Sequence, residues 1–372
     1  MRCLSIVHTE NSAGWGGQEI RILSEAEGML ARGHHVTVVA PPETPLSAAA
    51  TRNRIPLVPL PIRRKHIADL ASIRTWLGEA KVHTDVLNTH SSTDSWLTAL
   101  ACATLIGAPP IVRTRHVSTI VNRRPTTRWL YGRACAHVVT TGEALRHQLA
   151  SELGLHHSRL TSVPTGIDLA RFVPGDSIAS RHKLGLRPRP TLGIVATLRD
   201  WKGHDYLFEA LALDRKGWRD WEVIVIGDGP HRPNLAAHAA ALNLGENIHF
   251  VGHQDDVVPW LQALDLFTLP SYGEEGVPQA IMQAMACGIA VVSTPVGAIA
   301  EAVNHEVTGL LVAPRSPAEL AYGLSRLRDD RPTRLRFGAS GRARAMDDFG
   351  IHRMLDRMEE VFYRVTRVHS MT

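Results

Sequence analysis

Cysteine is scarce in this chain of 372 residues: Cys3, Cys102, Cys135 and Cys287 form no CxxC pair and no secreted-domain framework, which points to reduced core thiols. Aromatic residues make up only 5%, and no basic run interleaved with aromatics, RNP-like signature or helix-turn-helix pattern occurs, so nucleic acid is not an expected partner. No stretch approaches the roughly 20 apolar residues needed to span a bilayer. The opening MRCLSIVHTE reaches Glu10 after an apolar run too short for a signal h-region. A cytoplasmic protein is expected, at most resting on the inner face of a membrane. No histidine or acidic pairing has metal-ligand spacing and no DxD occurs, so neither a metal nor a resident cofactor is expected.

What remains is ordinary globular material, 44% hydrophobic and 21% charged, long enough for two cores and hence two domains. A formal charge of +5 suits nucleic acid, anionic lipid or phosphorylated substrates equally, so charge alone does not choose among them. Short β-branched runs (LSIVHT, HVTVVA, DVLNTH, PPIVRT, AHVVTT) alternate with amphipathic stretches such as Glu19 to Arg32, the pattern of a parallel sheet wrapped by helices. SVPTGIDLARFVPGD, Ser162 to Asp176, places two prolines and two glycines between patterned segments and reads as an interdomain hinge. Beyond it the strands TLGIVAT, WEVIVIG, NIHFVG, LFTLPS and AVVSTP alternate with helices predicted at His204–Leu213, Pro233–Leu242, Val257–Ala263 and Gln279–Cys287. The fold class expected is α/β: two doubly wound Rossmann-like domains, 1–167 and 168–350, facing across a cleft, with 351–372 a helix returning to the first. Ligands of such sheets gather beyond the carboxyl ends of the strands.

Five segments carry chemistry. In SYGEEGVPQAIMQAMACGIAVVSTPVG a loop with Gly273, Glu274, Glu275, Gly276 and Val277 is read as running straight into a helix, whose free amides and dipole favour a diphosphate. Glu275 then accepts from sugar hydroxyls, and Gln283, two helical turns on, shares its face. IVATLRDWKGHDYLFEAL ends a strand in a turn bearing Arg199 and Lys202, cations placed to stabilise charge on a leaving pyrophosphate; a solvated surface turn is the alternative. In NSAGWGGQEIRI, Gly14, Gly16 and Gly17 permit close backbone approach, or simply a tight turn. His90 and His116 stand at strand ends, as ligand contacts or as core histidines.

The Ser271–Gly297 segment resembles glycosyltransferase family 4, whose signature is a Glu, seven residues and a second Glu in a strand-loop-helix setting. Glu275 matches the first, which in the family contacts the donor sugar; Gln283 stands where the second would hold the ribose. Lys202 and Gly203 match the family's Lys-Gly step, while Thr197 occupies its Arg position and Arg199 is expected to substitute. His116 matches the family histidine near the anomeric carbon, and Gly16 and Gly17 its glycine loop. VIGDGP and NIHFVGHQDDVVPWL extend the likeness across nearly the whole chain. Gly227 and Gly229 are thereby assigned to cradle the donor, and the backbone at Phe250 and Val251 to meet the nucleobase; turns required by the fold itself are the alternative. The resemblance implies a retaining, metal-independent hexosyltransferase of GT-B fold. Its N-terminal domain binds the acceptor and its C-terminal domain the nucleotide diphosphate sugar; cleft closure about Pro164–Pro174 excludes water.

Envelope polysaccharide or lipopolysaccharide synthesis is the implied setting, with a glycan or lipid-linked acceptor. The basic stretches Ile62–His66 and Arg115–Arg133 suit anionic headgroups, or form a solvated basic face. Rival readings are a nucleotide-sugar epimerase or phosphorylase of the same fold, and a non-catalytic two-lobe sugar binder. A dehydrogenase is disfavoured because Arg232 stands where a third glycine belongs in VIGDGPHR.

Overall fold

The computed structural model describes residues 2–273 and 275–369. The chain divides into two compact units, one ending at Gly166 and resuming at Ile351, the other Ile167–Gly350.

Unit 1 runs β1 (Ser5–Thr9), α1 (Gly17–Ala31), β2 (His35–Ala40), α2 (Pro45–Arg52), β3 (Leu57–Pro59), α3 (Ile67–Ala80), β4 (Val86–Thr89) and α4 (Ser92–Cys102). It continues with β5 (Ile111–Arg115), α5 (Pro125–Trp129), β6 (Cys135–Thr140), α6 (Glu143–Leu153) and β7 (Leu160–Ser162). The β-branched runs pair as a wholly parallel sheet in the order β3-β2-β1-β4-β5-β6-β7. A parallel sheet is covered on both faces, and apolar clusters lie on each side of this one. Its order reverses between β1 and β4, which opens a crevice at their carboxyl ends.

Unit 2 runs α7 (Ser177–Lys183), β8 (Thr191–Val195), α8 (His204–Leu213), α9 (Arg215–Trp218), β9 (Glu222–Ile226), α10 (Arg232–Ala241), β10 (Ile248–Gly252) and α11 (Val258–Gln262). Then come β11 (Leu266–Leu269), α12 (Gln279–Ala286), β12 (Ala290–Ser293), β13 (Gly309–Leu311), α13 (Pro317–Asp329) and α14 (Arg331–Asp348). Its parallel sheet has the order β10-β9-β8-β11-β12-β13, with the reversal at β8 and β11.

The last helix, α15 (Ile351–His369), belongs to unit 1. Met354, Leu355, Met358, Val361, Phe362 and Val365 recur at helical spacing and join the cluster built on Leu4, Ile6, Ile22 and Val38. Gly28 of α1 admits this helix, since a Cβ there would lie 2.4 Å from Leu355 Cδ1. Arg32 fastens it through Asp356 at 2.7 Å and Glu359 at 2.8 Å. The cysteines are free thiols; burial raises Cys135 to about 11 and Cys102 and Cys287 to about 12. Among the described residues no helix is long and apolar enough to cross a membrane.

Candidate active site

In unit 2 the functional residues collect on the loops beyond β8 and β11, at the point where the sheet order reverses. After β8 the chain makes a 3-10 turn over Asp200–Lys202 and enters α8 through Gly203, whose φ of +78° suits glycine. A Cβ on Gly203 would sit 2.0 Å from the Pro270 carbonyl oxygen, so only glycine lets the two loops touch. That contact delivers Lys202 Nζ to within 2.5 Å of Glu275 Oε1, and the Ser271 hydroxyl donates to the same oxygen at 2.7 Å. The Glu275 carbonyl accepts from Ala298 N–H at 3.3 Å, beneath Gly297 at φ +59°. Glu275 is thus held at both ends in a site whose side chains are 20% and 7% exposed for Lys202 and Glu275. A fixed carboxylate beside an ammonium can accept from hydroxyls while the cation faces an arriving anion.

The other residues assigned to this half fall differently. Arg199 is exposed, its guanidinium 5.0 Å above the Trp201 ring, and it makes no ion pair with Glu275 among the described residues. α12 begins at Gln279 with Pro278 as its N-cap, so Glu275, Gly276 and Val277 precede the helix. Glu275 and Gln283 therefore share no helical face: the proline delays the helix, and the loop folds back on Ser271 instead. Val277 is a core side chain, which leaves only its backbone for a ligand. Gln283 is half-buried and makes no hydrogen bond to Glu275 or Lys202 among the described residues. Gly227 and Gly229 pack on protein backbone: Cβ atoms there would meet the Ala196 oxygen at 2.0 Å and the Leu198 oxygen at 2.5 Å. Their smallness first serves to stack the loop after β9 on the loop after β8. Val251 is the penultimate residue of β10, and its carbonyl accepts from Gln254 Nε2 at 2.8 Å. Glu274 lies outside the described residues.

In unit 1, His90 follows β4 and His116 follows β5, and the structure joins them. His90 Nδ1 lies 3.0 Å from His116 Nε2, and His90 Nε2 lies 3.0 Å from Nδ1 of His8, inside β1. Exposure grows along this row, from 0% at His8 and 3% at His90 to half-buried His116. Gly16 caps α1 in extended backbone, and a Cβ there would meet nothing nearer than Glu19 Oε2 at 3.7 Å. The protein itself does not demand glycine at that point. Gly17 is the first residue of the helix.

Burial dominates the electrostatics of this crevice. It lowers His8 to about 3, with the Arg21 cation adding to the effect, and holds His90 and His116 well below the ordinary imidazole range. Burial, then the Asp94 charge, raises Glu10 above the carboxylate range. Glu10 accepts from Ser12 N–H at 2.7 Å, from the Ser91 hydroxyl at 2.6 Å and from Gln18. Asp94 accepts from the backbone N–H groups of His90 and Ser91 and caps α4. Arg21 and Glu25, both without exposure, stand 3.5 Å apart beneath the sheet edge.

Ser271, Glu10, Gln18, Ser91, Asp94, His8 and Arg21 were not singled out from the sequence. Position could have found two of them: Glu10 follows a strand end, and Ser271 lies just past the end of β11, before Glu275. The basic stretches also prove mixed. Ile62, Val121, Leu130 and Tyr131 are buried, and Arg115 bonds the Tyr131 hydroxyl at 3.0 Å, which leaves Arg63, Arg64, Lys65, Arg123, Arg124, Arg128 and Arg133 exposed. Among the described residues no group of three His, Cys, Asp or Glu could hold a metal ion.

Two doubly wound parallel sheets with a carboxylate–ammonium pair at a strand-order reversal define a GT-B sugar transferase, and comparison with known proteins agrees. The family model "Glycosyltransferase Family 4" matches residues 15–171 and "Glycosyl transferases group 1" matches 189–330. The chain is 29% identical over 369 residues to 2-deoxystreptamine glucosyltransferase of Streptomyces kanamyceticus, covering 90% of this chain and 95% of that one. It is 30% identical over 268 residues to a lipopolysaccharide core biosynthesis mannosyltransferase of Rhizobium meliloti, covering 69% and 74%. The crystal structure of Anabaena HepE with UDP-glucose superposes with a TM-score of 0.86 at 20% identity, covering 97% of this chain and 100% of that one. The chain belongs to glycosyltransferase family 4, and it is a sugar-transferring enzyme.

Proposed function

We propose that this glycosyltransferase takes its sugar from a nucleoside diphosphate donor bound on unit 2, with retention of configuration and without a metal. The observation that carries the reading is the Glu275 carboxylate gripped by Lys202 and Ser271 on two loops whose close approach needs glycine at position 203. The anomeric bond to the diphosphate lengthens with oxocarbenium character in the sugar, and Lys202 stabilises the charge gathering on the leaving phosphate. Glu275 orients the sugar through its hydroxyls. The acceptor hydroxyl attacks from the face the phosphate leaves, and that phosphate takes its proton, so no protein nucleophile is required. His116 contacts the ligand at the open end of the first sheet. HepE, crystallised with UDP-glucose, makes uridine diphosphate sugars the first donors to test.

The acceptor is a glycan or lipid-linked alcohol bound on unit 1, on the cytoplasmic side. The cations Arg63, Arg64, Arg123 and Arg124, with Ile67 and Ile120 exposed beside them in sequence, favour peripheral contact with an anionic membrane. A thermal-shift panel of nucleotide sugars tests the donor, because a ligand at 100 times its Kd stabilises the folded state by about 2.7 kcal/mol. One donor class raising Tm, followed by transfer to an acceptor and none by Lys202→Ala, supports the reading. No shift with any nucleotide sugar overturns it, and conversion of donor without acceptor points to the epimerase.

A further inference from the structure

We propose that His90 and His8 are positioning residues that order His116, so that its Nδ1 presents an N–H to the ligand. This rests on the reading of His116 as a ligand contact. The three rings form one row from β1 through the ends of β4 and β5, joined by two N···N contacts of 3.0 Å. Each contact needs one proton, and a mixed arrangement would aim two N–H groups or two lone pairs at each other. With neutral rings only two orders are possible: protons on every Nδ1, or on every Nε2.

The inner end selects between them. His8 is buried, and its Nε2 has no hydrogen-bond partner among the described residues. Arg21, also fully buried, has its Nε 3.5 Å from Glu25 Oε2; among the described residues its Nε and Nη2 make no hydrogen bond, and its charge bears on all three rings. A lone pair left over at His8 Nε2 in the field of that cation costs less than an unpaired N–H would. The protons therefore lie on Nδ1 throughout: His8 donates to His90, His90 donates to His116, and His116 turns its own N–H outward. His116 Nδ1 has no partner among the described residues. The charged and titratable groups around the row are Arg21 and Glu25 on α1, Arg113 on β5, Asp94 on α4 and Glu10 beyond β1. Burial together with the arginines keeps the rings uncharged.

Imidazole nitrogen NMR of the full-length, 15N-histidine-labelled protein reads the order directly, with resonances assigned by single histidine substitutions. We expect His8, His90 and His116 as Nδ1–H tautomers that do not titrate between about pH 5 and 8. In His90→Leu, His116 loses that single tautomer and kcat falls about 10-fold, with a smaller change in the donor KM. His90→Asn, which restores an N–H at the Nδ1 position, recovers both. A His116 proton on Nε2, titration of the row in that range, or an unchanged His116 tautomer in His90→Leu overturns the proposal. His116→Ala separates the two readings: full transfer by that variant removes the ligand contact, whereas the tautomer spectrum alone decides the order of the row.

Discussion

The two units use one architecture to opposite ends. Unit 2 surrounds its site with an apolar framework and brings one charged pair together by backbone contact, through Gly203 and Gly297. Unit 1 instead buries its polar groups: the histidine row, the Arg21–Glu25 pair, and Glu10 with Asp94. Geometry in unit 2 depends on loops that only glycine allows to touch. Geometry in unit 1 depends on where protons reside, so pH and side-chain polarity should trouble the first unit and backbone bulk the second.

The largest effect separates chemistry from stability. Lys202→Ala and Glu275→Ala should each lower turnover by about 10³-fold, the scale for losing a fixed electrostatic contact, with the protein still folded. Full activity in both would move the chemistry away from unit 2. Next, Gly227→Ala forces a Cβ against the Ala196 oxygen at φ +135° and should destabilise by about 3 kcal/mol. Hydrogen exchange should show the loss in unit 2 peptides alone; equal loss in unit 1 would erase the contrast.

A smaller effect tests the first unit through pH. His8, His90 and His116 have folded values lowered by burial, so their stability is present above about pH 6.5 and is lost as pH falls below it. Glu10 is raised, so its contribution is present at low pH and fades as pH rises through the folded value. The two oppose each other on acidification. Glu10→Gln should therefore make unit 1 lose stability more steeply as pH falls between about 7 and 6. Exchange protection, corrected for intrinsic rates, measures this, and an unchanged slope would show that Glu10 is ionised in the fold. The smallest change is Gln283→Glu, for which transfer should be at least maintained; loss of activity would give that amide a role other than holding ribose.

Periodicity made the architecture legible. Alternating β-branched runs announced most strands, and α8 falls at His204–Leu213, as predicted from the sequence. The strands β3, β7 and β13 escaped notice because three residues carry too little pattern. Glu275 and Lys202 were legible because each stands in a distinctive loop, but their ion pair was not, since it depends on a tertiary contact through Gly203. The same limit explains Gly227 and Gly229: a sequence shows that glycine is present and not whether ligand or backbone comes close. His8 was hidden by its strand, where an inward histidine looks like any other core position until His90 is seen beside it.

The last helix sets an order of events during synthesis. Unit 2 is one uninterrupted stretch and holds everything its core requires once residue 350 has left the ribosome. Unit 1, begun first, finishes later, because the seat on α1 at Gly28 stays bare until Leu355 and its apolar neighbours arrive. During that interval the nascent N-terminal half carries an uncovered greasy stripe, the kind of surface a chaperone would guard.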